Sequence, residues 1–208
     1  MPPPSADSPV FLIIAGPNGS GKSSVYANAS IEQVGRSVWI INPDLLAARI
    51  RLVESTSLDG ANLVAVQRIE NWLEASLDAH QTVGVETVLS TPKYRRLVER
   101  AKLRNFEVYL IYVMLDSPRR NVERVRLRVQ KGGHAVPEDK IVDRYTRSLQ
   151  QLPWFLEKVD RAWIYDNSAR TRGSLQKKST IPSVSTDMRS LLFWKPWASA
   201  LRSDTHRR

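Results

Sequence analysis

The chain has no cysteine, so it can form no disulfide and no thiolate-based metal or redox centre. Its three histidines are scattered too widely for a metal site. No apolar run approaches the roughly 18 residues of a membrane span, and no segment repeats. The opening MPPPSADSP, residues 1–9, carries no basic residue, and no small-residue cleavage site follows the apolar run after it. It therefore reads as a flexible leader and not as a secretory signal. These absences point to a cytoplasmic protein without a membrane partner. Acidic residues are in the minority, 21 against 31 Lys and Arg, for a net charge of +10 and a pI near 10.1. Such a balance fits an anionic partner or a basic solvated surface, helped by the tail 201–208 with Arg202, Arg207 and Arg208. The arginines crowd one internal segment and no RNP-type aromatic motif is present, which weighs against nucleic acid. At 42% hydrophobic and 25% charged, 208 residues suit one globular α/β domain, placed here at 10–200.

The stretch that organises the chain is GPNGSGKSS, residues 16–24. It fits G-x-x-x-x-G-K-[ST], with Gly16, Gly21, Lys22 and Ser23 in the defining places. Gly16, Gly19 and Gly21 let the backbone turn and bring N–H groups close to phosphate oxygens. Asn18, Ser20 and Ser24 complete the cradle. Lys22 supplies a mobile positive charge to the β/γ-phosphates, and the Ser23 hydroxyl is the natural Mg²⁺ ligand. The apolar run VFLIIA (10–15) precedes the loop and a helical pattern, SSVYANASIEQV, follows it. Strand, glycine loop and helix stand in the order that the motif requires, so the chain is expected to bind a nucleoside triphosphate, ATP or GTP.

Strands then alternate with helices. SVWIIN (37–42), TVGVETVLS (82–90), FEVYLIYVMLD (106–116) and RAWIYDNS (161–168) read as strands. Helical patterns fill DLLAARIRLV, the long run 58–80 with Leu63, Val66, Ile69, Leu73 and Leu77 as its apolar stripe, PKYRRLVERAKLRN, 117–133, and the stretch after the Val136-Pro137 turn. Residues 169–190 read as a loop or weak hairpin, and LLFWKPWASAL as a short apolar element packing back on the core. The expected fold is α/β: a mostly parallel five-stranded sheet flanked by helices. Right-handed crossovers leave the strand C-termini on one edge, where ligands bind.

Asp44, Glu86 and Asp116 leave strands on that edge. A phosphotransferase needs a carboxylate to take the acceptor hydroxyl's proton, and Asp44 is placed either for that or as a helix N-terminal acid stabilised by the dipole. Glu86 lies inside an apolar strand, so it must be paired or face the site, and it reads as an acceptor-binding group. Asp116 is either a Walker B aspartate or the N-cap of the next helix.

Arg120, Arg124 and Arg128 follow i, i+4, i+8 and share one helical face. Arg144 and Arg147 lie on the helix beyond the turn. A helix–Gly-Gly–helix rich in arginine, about 117–150, reads as a mobile lid whose Arg128 and Arg144 close over the transferring phosphoryl group. Arg124 on the same face is assigned to the acceptor, while Arg119 and Arg126 read as surface charge. His134 meets phosphate or simply serves the turn. Asn167, after the last strand, is placed to meet a nucleotide base.

With these residues located, the sequence resembles the zeta-toxin family of P-loop kinases in its compact chromosomal branch. The resemblance is carried by GPNGSGKSS, INPDLLA, VETVLS, RVQKGGHAVPEDKIVDRYTRSLQQL and IYDNS, spanning about 10–168. It implies a kinase that uses ATP or GTP with Mg²⁺ to phosphorylate a hydroxyl of UDP-N-acetylglucosamine, and an antitoxin partner that holds it inactive. Carried over, Lys22 binds phosphate, Asp44 is the general base, Glu86 contacts the sugar nucleotide, and Arg128 and Arg144 are the lid arginines. Relatives often carry threonine where Val88 stands, so one hydrogen bond to an acceptor is lost. The alternative reading is a nucleotide-dependent ATPase or switch that acts on a protein partner. That reading requires Asp116 to be a true Walker B residue.

Overall fold

The structure is a computed structural model that describes residues 8–24, 38–168 and 177–181. Most of the leader, most of the helix expected after the glycine loop, the apolar element at 191–201 and the basic tail lie outside the described residues. The strands are β1 (Val10–Ala15), β2 (Trp39–Ile41), β3 (Val83–Thr87), β4 (Glu107–Met114), β5 (Arg161–Asp166) and β6 (Lys177–Ile181). The helices are α1 (Pro43–Glu54), α2 (Leu58–Asp78), α3 (Arg95–Leu103), α4 (Pro118–Gln130) and α5 (Glu138–Lys158). A short 3-10 turn, Pro92–Tyr94, leads into α3, and the glycine loop passes into a helical turn at Lys22.

The strands form one sheet in the order β2-β3-β1-β4-β5-β6. The five expected strands pair in parallel. A sixth, β6, adds antiparallel to β5 from within the stretch read as a loop or weak hairpin. The sequence KKSTI shows no apolar alternation to announce it, but an edge strand needs only backbone donors and acceptors in register.

Both sheet faces are buried, as a parallel sheet demands. Along β1, Phe11, Ile13 and Ala15 join the main cluster with Ile69, Leu73 and Leu77 of α2, Leu97 and Val98 of α3, and Leu149, Leu152 and Phe155 of α5. Val10, Leu12 and Ile14 face the other way, against Ile111, Val113, Trp163 and Tyr165.

The stripe of α2 is only partly the expected one. Ile69, Leu73 and Leu77 are buried, but Leu63 is 70% exposed and Val66 is 40% exposed. The buried line in the first turns is instead Ala61 and Ala65, which meet Ala47 and Ile50 of α1 in a separate small cluster. Small residues let the two helices approach closely, so here size was a poorer guide than the i, i+4 spacing 61-65-69-73-77.

Two helix ends matter for the site. Asn42 caps α1, its Oδ1 accepting from Leu45 N at 3.1 Å, with Pro43 in the first turn. At the far end of α4, Gly132 (φ +82°) donates to Val129 O at 2.9 Å and Gly133 to Arg128 O at 3.0 Å. This pair of bonds is a Schellman stop.

Candidate active site

The parallel strands deliver the glycine loop, Glu86, Asp116 and Asn167 to one edge of the sheet. Gly19 and Gly21 have φ of +76° and +97°, and a Cβ would lie 2.6 Å from Asn121 O or 2.4 Å from Asn167 Nδ2. The loop therefore has room only for bare backbone. Lys22 is 7% exposed, and its Nζ donates to Gly16 O at 2.8 Å and Pro17 O at 3.1 Å. Its nearest carboxylate oxygen, Glu86 Oε1, stands 3.9 Å away. Burial pushes the Lys22 pKa below the ordinary value. The charges of Glu86 and Asp44 pull it back up, and Arg128 lowers it further. Lys22 is thus buried and held by two loop carbonyls, with Glu86 as its salt-bridge partner at the long end of the range.

Glu86, at the end of β3, is the acid closest to the loop's polar side chains. Its Oε2 accepts from Asn42 Nδ2 at 2.8 Å and from Ser23 Oγ at 3.2 Å. Asn42 therefore does two jobs: it caps α1 and fixes Glu86. Asp44 is exposed and has no hydrogen-bond or ion-pair partner among the described residues. Because Asn42 supplies the cap, the Asp44 carboxylate is left open while still lying in the first turn of α1. Asp116 is not the N-cap of α4: that place is taken by Ser117, which makes no side-chain capping bond, and Asp116 pairs with Arg120 at 3.1 Å on the surface.

The arginine face of α4 is as its spacing predicts, but its first two members bind backbone. Arg120 donates to Ser168 O and Arg124 to Asn167 O, each at 2.6 Å. Asn167 Nδ2 in turn donates to Ser20 O at 2.9 Å, so its amide is spent on the loop. Asn121 Nδ2 donates to Asn18 O at 2.6 Å. The N-terminal half of α4 is thereby sewn to the glycine loop and the β5 exit. Arg128, one turn from the helix end, donates to His134 O at 2.8 Å; the described role of His134 is that turn carbonyl. Arg124, Arg128 and Lys131 line a cavity of about 410 Å³ with Gly21, Ser24 and Asn167. Burial lowers the Arg124 pKa, and Arg120 adds to the effect.

The other basic residues sort as follows. Arg119 pairs with Glu123 and Arg126 with Glu138 on the surface. Arg147 pairs with Asp143. Arg144 is half-buried without a hydrogen-bond or ion-pair partner among the described residues. Within 117–150, α5 is anchored by Tyr145, Leu149 and Leu152 in the main core. In the turn 131–137, Val136 packs against Val122, Val125 and Ile141.

The residues fit a triphosphate with a divalent cation. Gly19 and Gly21 have no room for a side chain, Lys22 is buried with Glu86 as its counter-ion at 3.9 Å, and Asn18 Oδ1 and Ser20 Oγ are buried without a partner among the described residues. The Ser23 hydroxyl beside a Glu86 carboxylate oxygen is a hard-cation donor set. Asn42 and Asn121 escaped the sequence reading. The first could have been found from N-P-D before an apolar run, a helix-start signature; the second is a neutral amide buried among the charges of α4, which spacing alone does not mark.

A sequence profile of the family described as zeta toxin matches residues 2–173. The chain belongs to the zeta-toxin family. It is 27% identical over 135 residues to an uncharacterized protein of Haemophilus influenzae, covering 64% of this chain and 91% of the relative. Its fold resembles a chain from the PezAT chromosomal toxin–antitoxin system of Streptococcus pneumoniae, at a TM-score of 0.64 and 16% identity over 96% of this chain and 85% of that one. It also resembles a chain of the AvrRxo1-ORF1:-ORF2 structure with ATP, at a TM-score of 0.55 and 14% identity over 78% of this chain and 56% of that one. This zeta-toxin family chain is a nucleotide-dependent phosphotransferase with a P-loop fold. No helix among the described residues is long and apolar enough to cross a membrane.

Proposed function

We propose that this zeta-toxin family protein transfers the γ-phosphoryl group of ATP, with Mg²⁺, to a hydroxyl of a small molecule, and that the acceptor is UDP-N-acetylglucosamine. The observation that carries the reading is Asp44. It is an open carboxylate at the ligand edge, near enough to Lys22 for its charge to raise that lysine's affinity for protons. An open carboxylate there can accept the proton of an acceptor hydroxyl. Lys22 binds the phosphates, and Ser23 with Glu86 would hold the cation, which supplies charge neutralisation on the phosphoryl oxygens when bound. Glu86 thereby serves the cation side as well as the acceptor side. Arg128 and Arg144 stabilise the charge that spreads over the transferring group. Arg124 and Asn167 hold the β5 exit against the loop.

Family membership supports an antitoxin protein as partner. The ATPase or switch alternative needs Asp116 at the cation; the Ser23–Glu86 bond and the surface pair of Asp116 with Arg120 favour Glu86 in that place. The test is to incubate the protein with ATP, Mg²⁺ and UDP-N-acetylglucosamine and weigh the products. A sugar nucleotide heavier by one phosphoryl group is the expected result. ADP with free phosphate and an unchanged sugar nucleotide would sink the acceptor assignment.

A further inference from the structure

A chain of buried hydroxyls joins α5 to the loop that follows Glu86. Ser148 Oγ donates to Val88 O at 2.7 Å, and Tyr112 OH lies 2.8 Å from the same Ser148 Oγ. A serine has one hydrogen to give. It goes to Val88, so Tyr112 must donate to Ser148. Both side chains are buried, and burial pushes the Tyr112 pKa upward, which keeps its proton in place.

The loop needs such a tether. Leu89 is buried yet has φ +58°, a left-handed conformation that an L-residue with a bulky side chain adopts only under constraint. Its N–H is taken by Thr87 Oγ1 at 3.0 Å. The loop is therefore wound into one shape directly after Glu86, and Ser148 holds its carbonyl from the helix side.

Ser148 also fixes the height of its own helix. Arg144 lies one turn before it, on the same face. Tyr145 OH donates to Leu115 O at 3.0 Å, beyond the last residue of β4. This bond sets the turn of α5 that carries Arg144 level with the residue just past β4, and Arg144 has no hydrogen-bond or ion-pair partner of its own among the described residues.

We infer that Ser148 is a positioning residue that registers Arg144 against Glu86 by holding the Val88 carbonyl, with Tyr112 as the donor behind it. The inference rests on the phosphotransferase reading for its effect on rate, but not for its effect on the loop.

The test is a double-mutant cycle on Ser148→Ala and Arg144→Ala, read as kcat and KM for ATP with UDP-N-acetylglucosamine as acceptor, alongside hydrogen exchange at residues 87–90. Ser148→Ala is expected to lower kcat about tenfold with KM for ATP unchanged, and to cost nothing further once Arg144 is alanine. It should also speed exchange at the Leu89 amide about tenfold. Tyr112→Phe leaves the Ser148–Val88 bond in place and should keep turnover within about twofold. Additive losses in the cycle, or unchanged exchange at Leu89, would overturn the inference. A wild type that phosphorylates no acceptor defeats the functional reading instead; the exchange experiment then still decides whether Ser148 holds the loop.

Discussion

The donor half of the site and the acceptor half are built on different plans. Around the glycine loop, Lys22 is held by two carbonyls, Asn167 by Ser20, Asn121 by Asn18, and Glu86 by Ser23 and Asn42. On the other side Asp44 and Arg144 have no partner among the described residues. The α1–α2 pair beside Asp44 exposes Leu45 at 69%, Leu52 at 77% and Leu63 at 70%. The donor half is thus organised before any nucleotide arrives, as electrostatic stabilisation requires. The acceptor half keeps its charged groups open, so its chemistry is completed by the molecule it receives.

The sharpest way to break this comparison is to remove the buried cation. Lys22→Met should weaken ATP binding about a hundredfold, since a charge-assisted contact to phosphate is lost. The same change should raise the Tm of the nucleotide-free protein. The folded state lowers the Lys22 pKa, so the burial penalty is full below that lowered pKa, where both states hold the proton. As pH climbs through the folded pKa towards 10.5, the unfolded chain binds more protons and stability rises. Tm measured against pH should therefore slope upward in the wild type by more than in Lys22→Met. Equal slopes would show that Lys22 is not held at a cost.

A smaller effect should come from the far end of α4. A Cβ on Gly133 would lie 2.5 Å from Arg128 Cγ and 2.9 Å from Arg128 O. Gly133→Ala should displace the Arg128 side chain and cut turnover about tenfold, with ATP affinity kept within about threefold. Kinetics and nucleotide titration on the same preparation check this. Loss of affinity without loss of rate would place Arg128 in ground-state binding.

The smallest effect is expected at Asp116. Its pair with Arg120 is half-exposed, so Asp116→Asn should cost under about 1 kcal/mol of stability. Turnover should stay within about twofold. A loss of turnover comparable to that from removing Glu86 would restore the ATPase reading.

What the sequence made legible follows the same division. The glycine loop, the five parallel strands and the arginine face of α4 were readable because each depends on local spacing. The engagement of Asn167 with Ser20 was not, because it joins residues 147 positions apart through a β5 exit whose direction no period encodes. Ala61 and Ala65 were passed over for Leu63 and Val66 because hydrophobicity ranks side chains by size, whereas close helix packing selects small ones. Strand β6 was hidden because backbone pairing at a sheet edge asks little of side chains. The N-cap reading of Asp116 failed because Ser117 takes that position, one residue on, and its surface pair with Arg120 was not foreseen.

The most direct test of the account is phosphoryl transfer from γ-labelled ATP to a panel of sugar nucleotides by wild type and Asp44→Asn, with ATP affinity measured alongside. The account predicts a labelled UDP-N-acetylglucosamine product that falls by about a hundredfold or more in the variant while ATP binds both proteins equally well. Undiminished transfer by Asp44→Asn would contradict it, because the open carboxylate at the acceptor edge would then have no part in the reaction.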